Sequence, residues 1–294
     1  MTRLLLLAAA LVVVLAAGVV SGAGAEWDVY PGDSIQDAVD GAGEGDAIYV
    51  HEGTYVENVD VGKRVTLKGD GANVVTVRAA DVGDHVFEVT ADYVNISGFT
   101  ATGATAGWSS GIYLSSADHC NISENNASNN DYGIYLYGSS SNTLTCNNAS
   151  NNDYSGIYLW YSSNNTLTCN NATNNRYGIE LFSSSNNTLT ENNASNNRCG
   201  IGLLLDSSSN TLTNNNASNN NDYGIYLSYS SNNTLTCNNA TNNNRHGIQL
   251  SGSSDTILQS NTMSENTYNF GVFGYSLSNL SLKDPSSSIT FDSP

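Results

Sequence analysis

Asn142-Thr143-Leu144-Thr145, Asn147-Asn148-Ala149-Ser150-Asn151-Asn152, Gly156-Ile157-Tyr158-Leu159 and Ser162-Ser163-Asn164 decide the fold. They read as short strand, Asn-rich turn, short strand and Ser/Asn-rich turn, and neither strand can bury a core within the unit. The unit recurs. Glycine followed by an aliphatic residue stands at Gly111-Ile112, Gly133-Ile134, Gly156-Ile157, Gly178-Ile179, Gly200-Ile201, Gly224-Ile225, Gly247-Ile248 and Gly271-Val272, at steps of 22, 23, 22, 22, 24, 23 and 24 residues. A second landmark, an apolar residue flanked by Thr or Ser, moves with it at Ile122, Leu144, Leu167, Leu189, Leu212, Leu235 and Ile257. Such a period closes a core if each repeat is one coil of a right-handed parallel β-helix, each strand pairing with its copy about 4.8 Å away and the apolar columns stacking inside. A leucine-rich horseshoe needs more leucines per unit than recur here. Asn tolerates left-handed backbone and can hydrogen-bond to its own copy, so the Asn runs read as ladders at the turns.

Outward from the repeats, residues 26–110 read as a cap and irregular coils, 111–276 as regular repeats of about 23 residues, and 277–294 as a C-terminal tail. Ser34 can N-cap a short helix with Ile35, Ala38 and Val39 on one face, ended by Gly41, plugging the open first coil. Strand-like segments follow at 47–50, 59–61, 65–67, 74–77, 86–89 and 94–99. Eleven or twelve coils would give a rod of roughly 55 Å.

Ser34-Ile35-Gln36-Asp37-Ala38-Val39, Gly45-Asp46-Ala47-Ile48-Tyr49-Val50 and Gly53-Thr54-Tyr55-Val56-Glu57, followed by the Asn-rich repeats, resemble exported archaeal right-handed parallel β-helix proteins of the NosD-like, pectin-lyase-fold group. The resemblance covers nearly all of the chain after residue 25. It implies an all-β solenoid, with copper binding, cell-surface and carbohydrate-related roles among the functions of such proteins.

The 294-residue chain carries 27 Asp+Glu against 9 Lys+Arg, a formal charge of -18, so its field repels phosphate backbones and no nucleic-acid partner is expected. Arg3, the apolar run from Leu4 to Val20 and the small residues Ala23 and Ala25 read as a signal peptide over 1–25, which makes the protein secreted or cell-surface; an uncleaved N-terminal anchor is the alternative, and the one membrane contact expected. The 5 cysteines, Cys120, Cys146, Cys169, Cys199 and Cys237, form no CxxC pair.

The catalytic signals are weak. Asp118-His119-Cys120 and Arg245-His246-Gly247 match fragments of pectate-lyase and polygalacturonase motifs, and Asp131 and Asp153 recur one coil apart, but all of these also suit turns, so no catalytic residue is assigned. Nor is a cofactor. For a metal, Cys146 and Cys169 are the weak candidates, lying in the column two residues after the inner leucine, with Glu124, Glu191, Asn214, Cys237 and Gln259. They would be adjacent, close enough for soft-metal ligation or a disulfide, although in-register strands suit a disulfide poorly. The aromatic pattern says more. Alternation turns Tyr135, Tyr137, Tyr158, Trp160, Phe182 and Tyr226 outward in nearby coils, a strip on which sugar C–H faces could stack, or else a structural ladder. The expected function is therefore non-catalytic, glycan-binding or structural/adhesive, with a polysaccharide or cell-surface glycan as partner. A polysaccharide lyase, hydrolase or epimerase is the alternative, and a NosD-like copper-binding accessory protein a further one. Asn-x-Ser/Thr sequons at Asn126, Asn148, Asn171, Asn193, Asn216 and Asn239, with Asn164, Asn186 and Asn232, are candidate glycosylation sites in an exported chain.

Overall fold

The computed structural model describes residues 24–274 and 279–282. The expected signal segment lies almost wholly outside these residues, as does most of the tail.

The chain winds as a three-sided parallel β-solenoid. Among the described residues one side is a sheet of 12 strands, from Glu26–Val29 to Ser281–Leu282, and includes every Thr-Leu-Thr segment. A second, of 10 strands, runs from Val59–Val61 to Tyr268–Phe273 and includes the Gly-Ile segments. The third begins as 4 strands and continues as single bridges from Asn126↔Asn148 to Asn239↔Thr262. Pairing is in register, with Leu144 opposite Leu167 and Ile134 opposite Ile157.

The interior is built of columns. Ile134, Ile157 and Ile179, then Leu136, Leu159 and Leu181, Leu144, Leu167 and Leu189, and Ala149, Ala172 and Ala194 are all fully buried. Between them run buried amide ladders. The Asn147 N–H donates to Asn170 Oδ1 at 3.0 Å, and Asn147 Nδ2 donates back to the Ile122 carbonyl at 2.8 Å. Each coil thereby satisfies its neighbours' turn groups, which an apolar core could not do. The landmark glycine follows from this. A Cβ on Gly156 would lie 2.5 Å from the Ala149 carbonyl oxygen and 2.7 Å from Asn175 Nδ2, so no side chain fits beside the ladder.

The cap forms as expected. The helix spans Ile35–Gly41, buries Ile35, Ala38 and Val39, and has Ser34 accepting from the Asp37 N–H. Its first turn is also held from the next coil, where the Glu57 carboxylate accepts from the Ile35 N–H at 2.9 Å and the Gln36 N–H at 3.1 Å.

Two registers differ from the sequence reading. In the last Thr-flanked segment Leu258, not Ile257, pairs with Leu235 and is buried, so the thiol column ends at Ser260 and not Gln259. In the last Gly-Ile segment Phe270 takes the inner position opposite Ile248 while Gly271 faces Gln249, leaving Asn269 where the landmark glycine would stand. An added strand, Gly53–Val56, starts the third side.

Candidate functional site

The outer surface of the Gly-Ile side carries three parallel columns. The residue two after each glycine runs through Tyr113, Tyr135, Tyr158, Glu180, Gly202, Tyr226 and Gln249. Two residues further on, Tyr137, Trp160, Phe182 and Leu204 align. The residue before the glycine gives Tyr132 in one coil and Tyr177, Cys199, Tyr223, His246 and Tyr268 farther along.

The six predicted rings therefore do not form one strip. Tyr135 and Tyr158 stack on each other at 5.0 Å, with Tyr132 5.6 Å from Tyr158 and Tyr113 5.0 Å from Tyr135. Mutual packing leaves Tyr135 only 6% and Tyr158 8% exposed, and their phenols are pushed up by burial. They form the wall of the face and offer little contact area. The accessible rim lies in the second column. Tyr137 is 38% exposed, Trp160 packs edge-on between Tyr137 at 5.4 Å and Phe182 at 6.1 Å, and Tyr161 stacks on Trp160 at 5.6 Å. Tyr161 is 55% exposed and, like Tyr229 farther along, holds a left-handed backbone at the corner that closes the strand. Tyr226 belongs to a separate group, stacked on Tyr223 at 4.9 Å.

Between the two ring groups the column changes to Glu180 and Gly202. Ser155 Oγ donates to Glu180 Oε2 at 2.8 Å, and burial outweighs this bond in raising the carboxyl above the ordinary glutamate range. At Gly202 the face has no side chain, and the ring of Tyr177 lies 3.7 Å from where a Cβ would be. The margin before the strands carries three arginines alongside Asp131 and Asp222. Arg176 lies 5.9 Å over Tyr177, Arg245 lies 5.2 Å over Tyr223, and Arg198 pairs with Asp222 at 2.7 Å. Each arginine stands two residues before a landmark glycine. Among the described residues after Arg78 these are the lysines and arginines. The spacing was readable in the sequence, as was Glu180, which alternation places in the tyrosine column.

At the N-terminal end of the same face His85 stacks on Tyr113 at 4.1 Å and its Nδ1 accepts the Ser110 N–H at 3.0 Å. Burial lowers the His85 pKa, which favours the neutral ring that this bond requires, while burial and the nearby Asp60 and Asp84 raise that of Glu88. Glu88 and Glu180 are four coils apart in one column, about 19 Å at the strand spacing. That is well beyond the roughly 5–9.5 Å between the two carboxyls of a glycosidase.

The remaining candidates have structural partners. Asp131 accepts the Trp108 N–H at 3.1 Å, Asp118 accepts the Ser140 N–H at 2.6 Å, and His119 stacks on Tyr93 at 4.9 Å. His246 lies between the rings of Tyr223 and Tyr268. Cys146 and Cys169 are exposed, and no group of three or more metal-ligating side chains occurs among the described residues. The sequon asparagines divide into two sets. Asn148, Asn171, Asn193, Asn216 and Asn239 each donate Nδ2 to the Oδ1 of the preceding copy, at 2.8–3.0 Å, and Asn126 starts this ladder. Asn164, Asn186 and Asn232 instead occupy exposed corners with left-handed backbone.

Comparison with known proteins agrees with this architecture. The family profile described as Right handed beta helix region matches residues 83–207, 110–263 and 199–286. No curated protein sequence matches. Among solved structures, the A-module of mannuronan C-5 epimerase AlgE4 from Azotobacter vinelandii is similar with a TM-score of 0.69 at 19% identity, over 79% of this chain and 72% of that one. Tailspike protein 2 of an Escherichia coli O157:H7 bacteriophage gives a TM-score of 0.72 at 14% identity, over 84% of this chain but 43% of its own length. An alginate lyase from a Paenibacillus strain gives 0.59 at 17% identity, over 87% of this chain and 99% of the lyase. At these identities the likeness is one of fold. With the profile covering more than half of its length, the chain belongs to the right-handed β-helix family.

Proposed function

We propose that this is an exported, non-catalytic β-helix protein that binds a glycan along the outer Gly-Ile face, with acidic chains preferred. The observation that carries the reading is the coincidence, on one face of a chain of formal charge -18, of a rim made of exposed Tyr137 and Tyr161 and half-buried Trp160 with the arginines Arg176, Arg198 and Arg245. Rings offer stacking surface to sugar C–H faces, and guanidinium groups pair with carboxylates in a fork geometry that lysine lacks. The arginines also offset locally a field that would otherwise repel a polyanion. Solved relatives named for mannuronan and alginate support the reading to the extent that the fold accommodates such chains. Affinity electrophoresis against uronate-rich and neutral polysaccharides tests it. Retention by the acidic gels, weakened in Trp160→Ala and in a triple Arg176→Ala, Arg198→Ala, Arg245→Ala variant, is expected; a chain retarded by no polysaccharide overturns it.

The catalytic reading has one observation in its favour, the half-buried Glu180, whose carboxyl burial raises above the ordinary glutamate range, the direction a general acid needs. The distance to Glu88 argues against a two-carboxylate hydrolase. Polymer cleavage or epimerisation lost in Glu180→Gln would establish it in place of the binding reading.

A further inference from the structure

The two exposed thiols of neighbouring coils occupy a place that reading them as strand residues misjudges. Cys146 and Cys169 sit just past the ends of the Thr143–Thr145 and Thr166–Thr168 strands, at the corner, with φ of 51° and 60°. In-register pairs hold the corner on both sides: Thr145 opposite Thr168, and Asn148 bridged to Asn171. The Cys146 N–H donates to the Thr168 carbonyl at 2.9 Å and the Cys169 N–H to the Thr190 carbonyl at 3.1 Å, so the two residues have matched backbones. Their Cα atoms are therefore one coil apart, about 4.8 Å, inside the span of roughly 4.4–6.8 Å that a disulfide bridges. Hydrogen bonding to the Cys169 thiol raises that of Cys146 to about 11.

We propose that Cys146 and Cys169 form an inter-coil disulfide, a reversible oxidation site that ties together the coils carrying Tyr135 and Tyr137 and Tyr158 and Trp160. The oxidant is a low-molecular-weight disulfide. One cysteine thiolate attacks it, releasing one small thiol and forming a mixed disulfide; the second cysteine displaces the other small thiol. The two cysteines lose two electrons, the reagent gains them, and the two cysteine protons end on the two released thiols.

The other three cysteines lack this geometry. Cys120 and Cys199 are buried. Cys237 is exposed in the same column, but Glu191 and Asn214 separate it from Cys169, making three coils or about 14 Å. This predicts a thiol count. Alkylating the folded, reduced protein with a maleimide should modify three cysteines. After incubation with oxidised glutathione and removal of the reagent it should modify none: Cys237, with no partner thiol, should carry a glutathione adduct, and peptide mapping should recover a Cys146–Cys169 cross-link lighter by two hydrogens. Dithiothreitol should restore all three. A Cys146→Ser variant should form no internal cross-link, and its Cys169 should carry a glutathione adduct instead. The proposal is overturned if the parent keeps three accessible thiols, collects glutathione adducts on Cys146 and Cys169 without closing, or cross-links between molecules only. None of these outcomes depends on glycan binding.

Discussion

The coils before residue 110 and those after it solve the same closure problem with different chemistry. In the early coils the corners are closed by individual devices: the Glu57 carboxylate on the helix start, Asn58 Oδ1 accepting the Ala80 and Asp81 N–H groups, and His51 between Asp28 at 2.8 Å and Asp70 at 3.1 Å. In the later coils the same bond is repeated by the same residue in every turn. The change occurs at one step. Phe99, three residues after Ile96, packs against Phe87 at 5.2 Å, while Asn125, three residues after Ile122, starts the amide ladder by accepting the Phe99 N–H and donating to the Ile96 carbonyl. Unique devices allow coil length and shape to vary, whereas the ladder imposes a period. The difference teaches that the asparagines of the ladder, Asn147 and Asn170 among them, are core residues of the later coils, unlike the exposed corner asparagines such as Asn164.

If that comparison holds, the apolar columns should matter equally in both regions and the amides in only one. Leu167→Ala, and Leu67→Ala in the early coils, should each cost roughly 2–5 kcal/mol in denaturant unfolding, since both side chains are fully buried. A much smaller loss at Leu67 would mean that the early coils are not part of the same packed core. Asn170→Ala comes next. It deletes the acceptor of the Asn147 N–H and the donor to the Leu144 carbonyl, and should cost about 1–3 kcal/mol for the buried groups left unsatisfied. An unchanged midpoint would show that the ladder merely decorates the interior. Trp160→Ala sharpens the comparison on the outside. It should weaken retention on acidic polysaccharide by about 1–3 kcal/mol, by analogy with base stacking, at little cost in stability. A variant that melts earlier and binds as well as the parent would make the rim a structural ladder.

The smallest effect concerns the early coils alone. His51 is held above the ordinary histidine range by its bond to Asp28, against some desolvation and with help from Asp70. A group whose folded pKa is raised stabilises fully below its unfolded value and loses that contribution as pH rises through the folded one. Hydrogen exchange of residues 26–70 should therefore quicken modestly as pH passes upward from about 6.5, after correction for intrinsic rates, while residues 133–250 should show no such step. In His51→Gln the step should vanish.

Much of this was legible because a solenoid writes its contacts as a period. Gly156 and Leu167 could be assigned to columns from spacing alone, and the cap helix from Ser34 and its apolar face. The period misled where its landmark was replaced: with Asn269 in the glycine position, Gly271 drew the last repeat out of register, and Ile257 beside Leu258 offered two equally apolar choices. Burial on the outer face was not legible. Alternation correctly turned Tyr135 and Tyr158 outward, but ring-on-ring packing between coils depends on torsions that spacing does not encode. Arg176, Arg198 and Arg245 share one offset from glycine and could have been found by asking of the charges the question asked of the leucines.

The amide ladder also gives the rod a reading direction. Each coil extends its backbone N–H to an amide oxygen of the coil that follows, and that coil's amide reaches back to a carbonyl behind it. A finished coil is thus a mould for its successor: it presents donors that only a residue with an oxygen at the same offset can occupy. Duplicating a whole unit inserts a new plug and a new socket together and lengthens the rod without a seam. A cut within a unit leaves a row of donors facing nothing they fit.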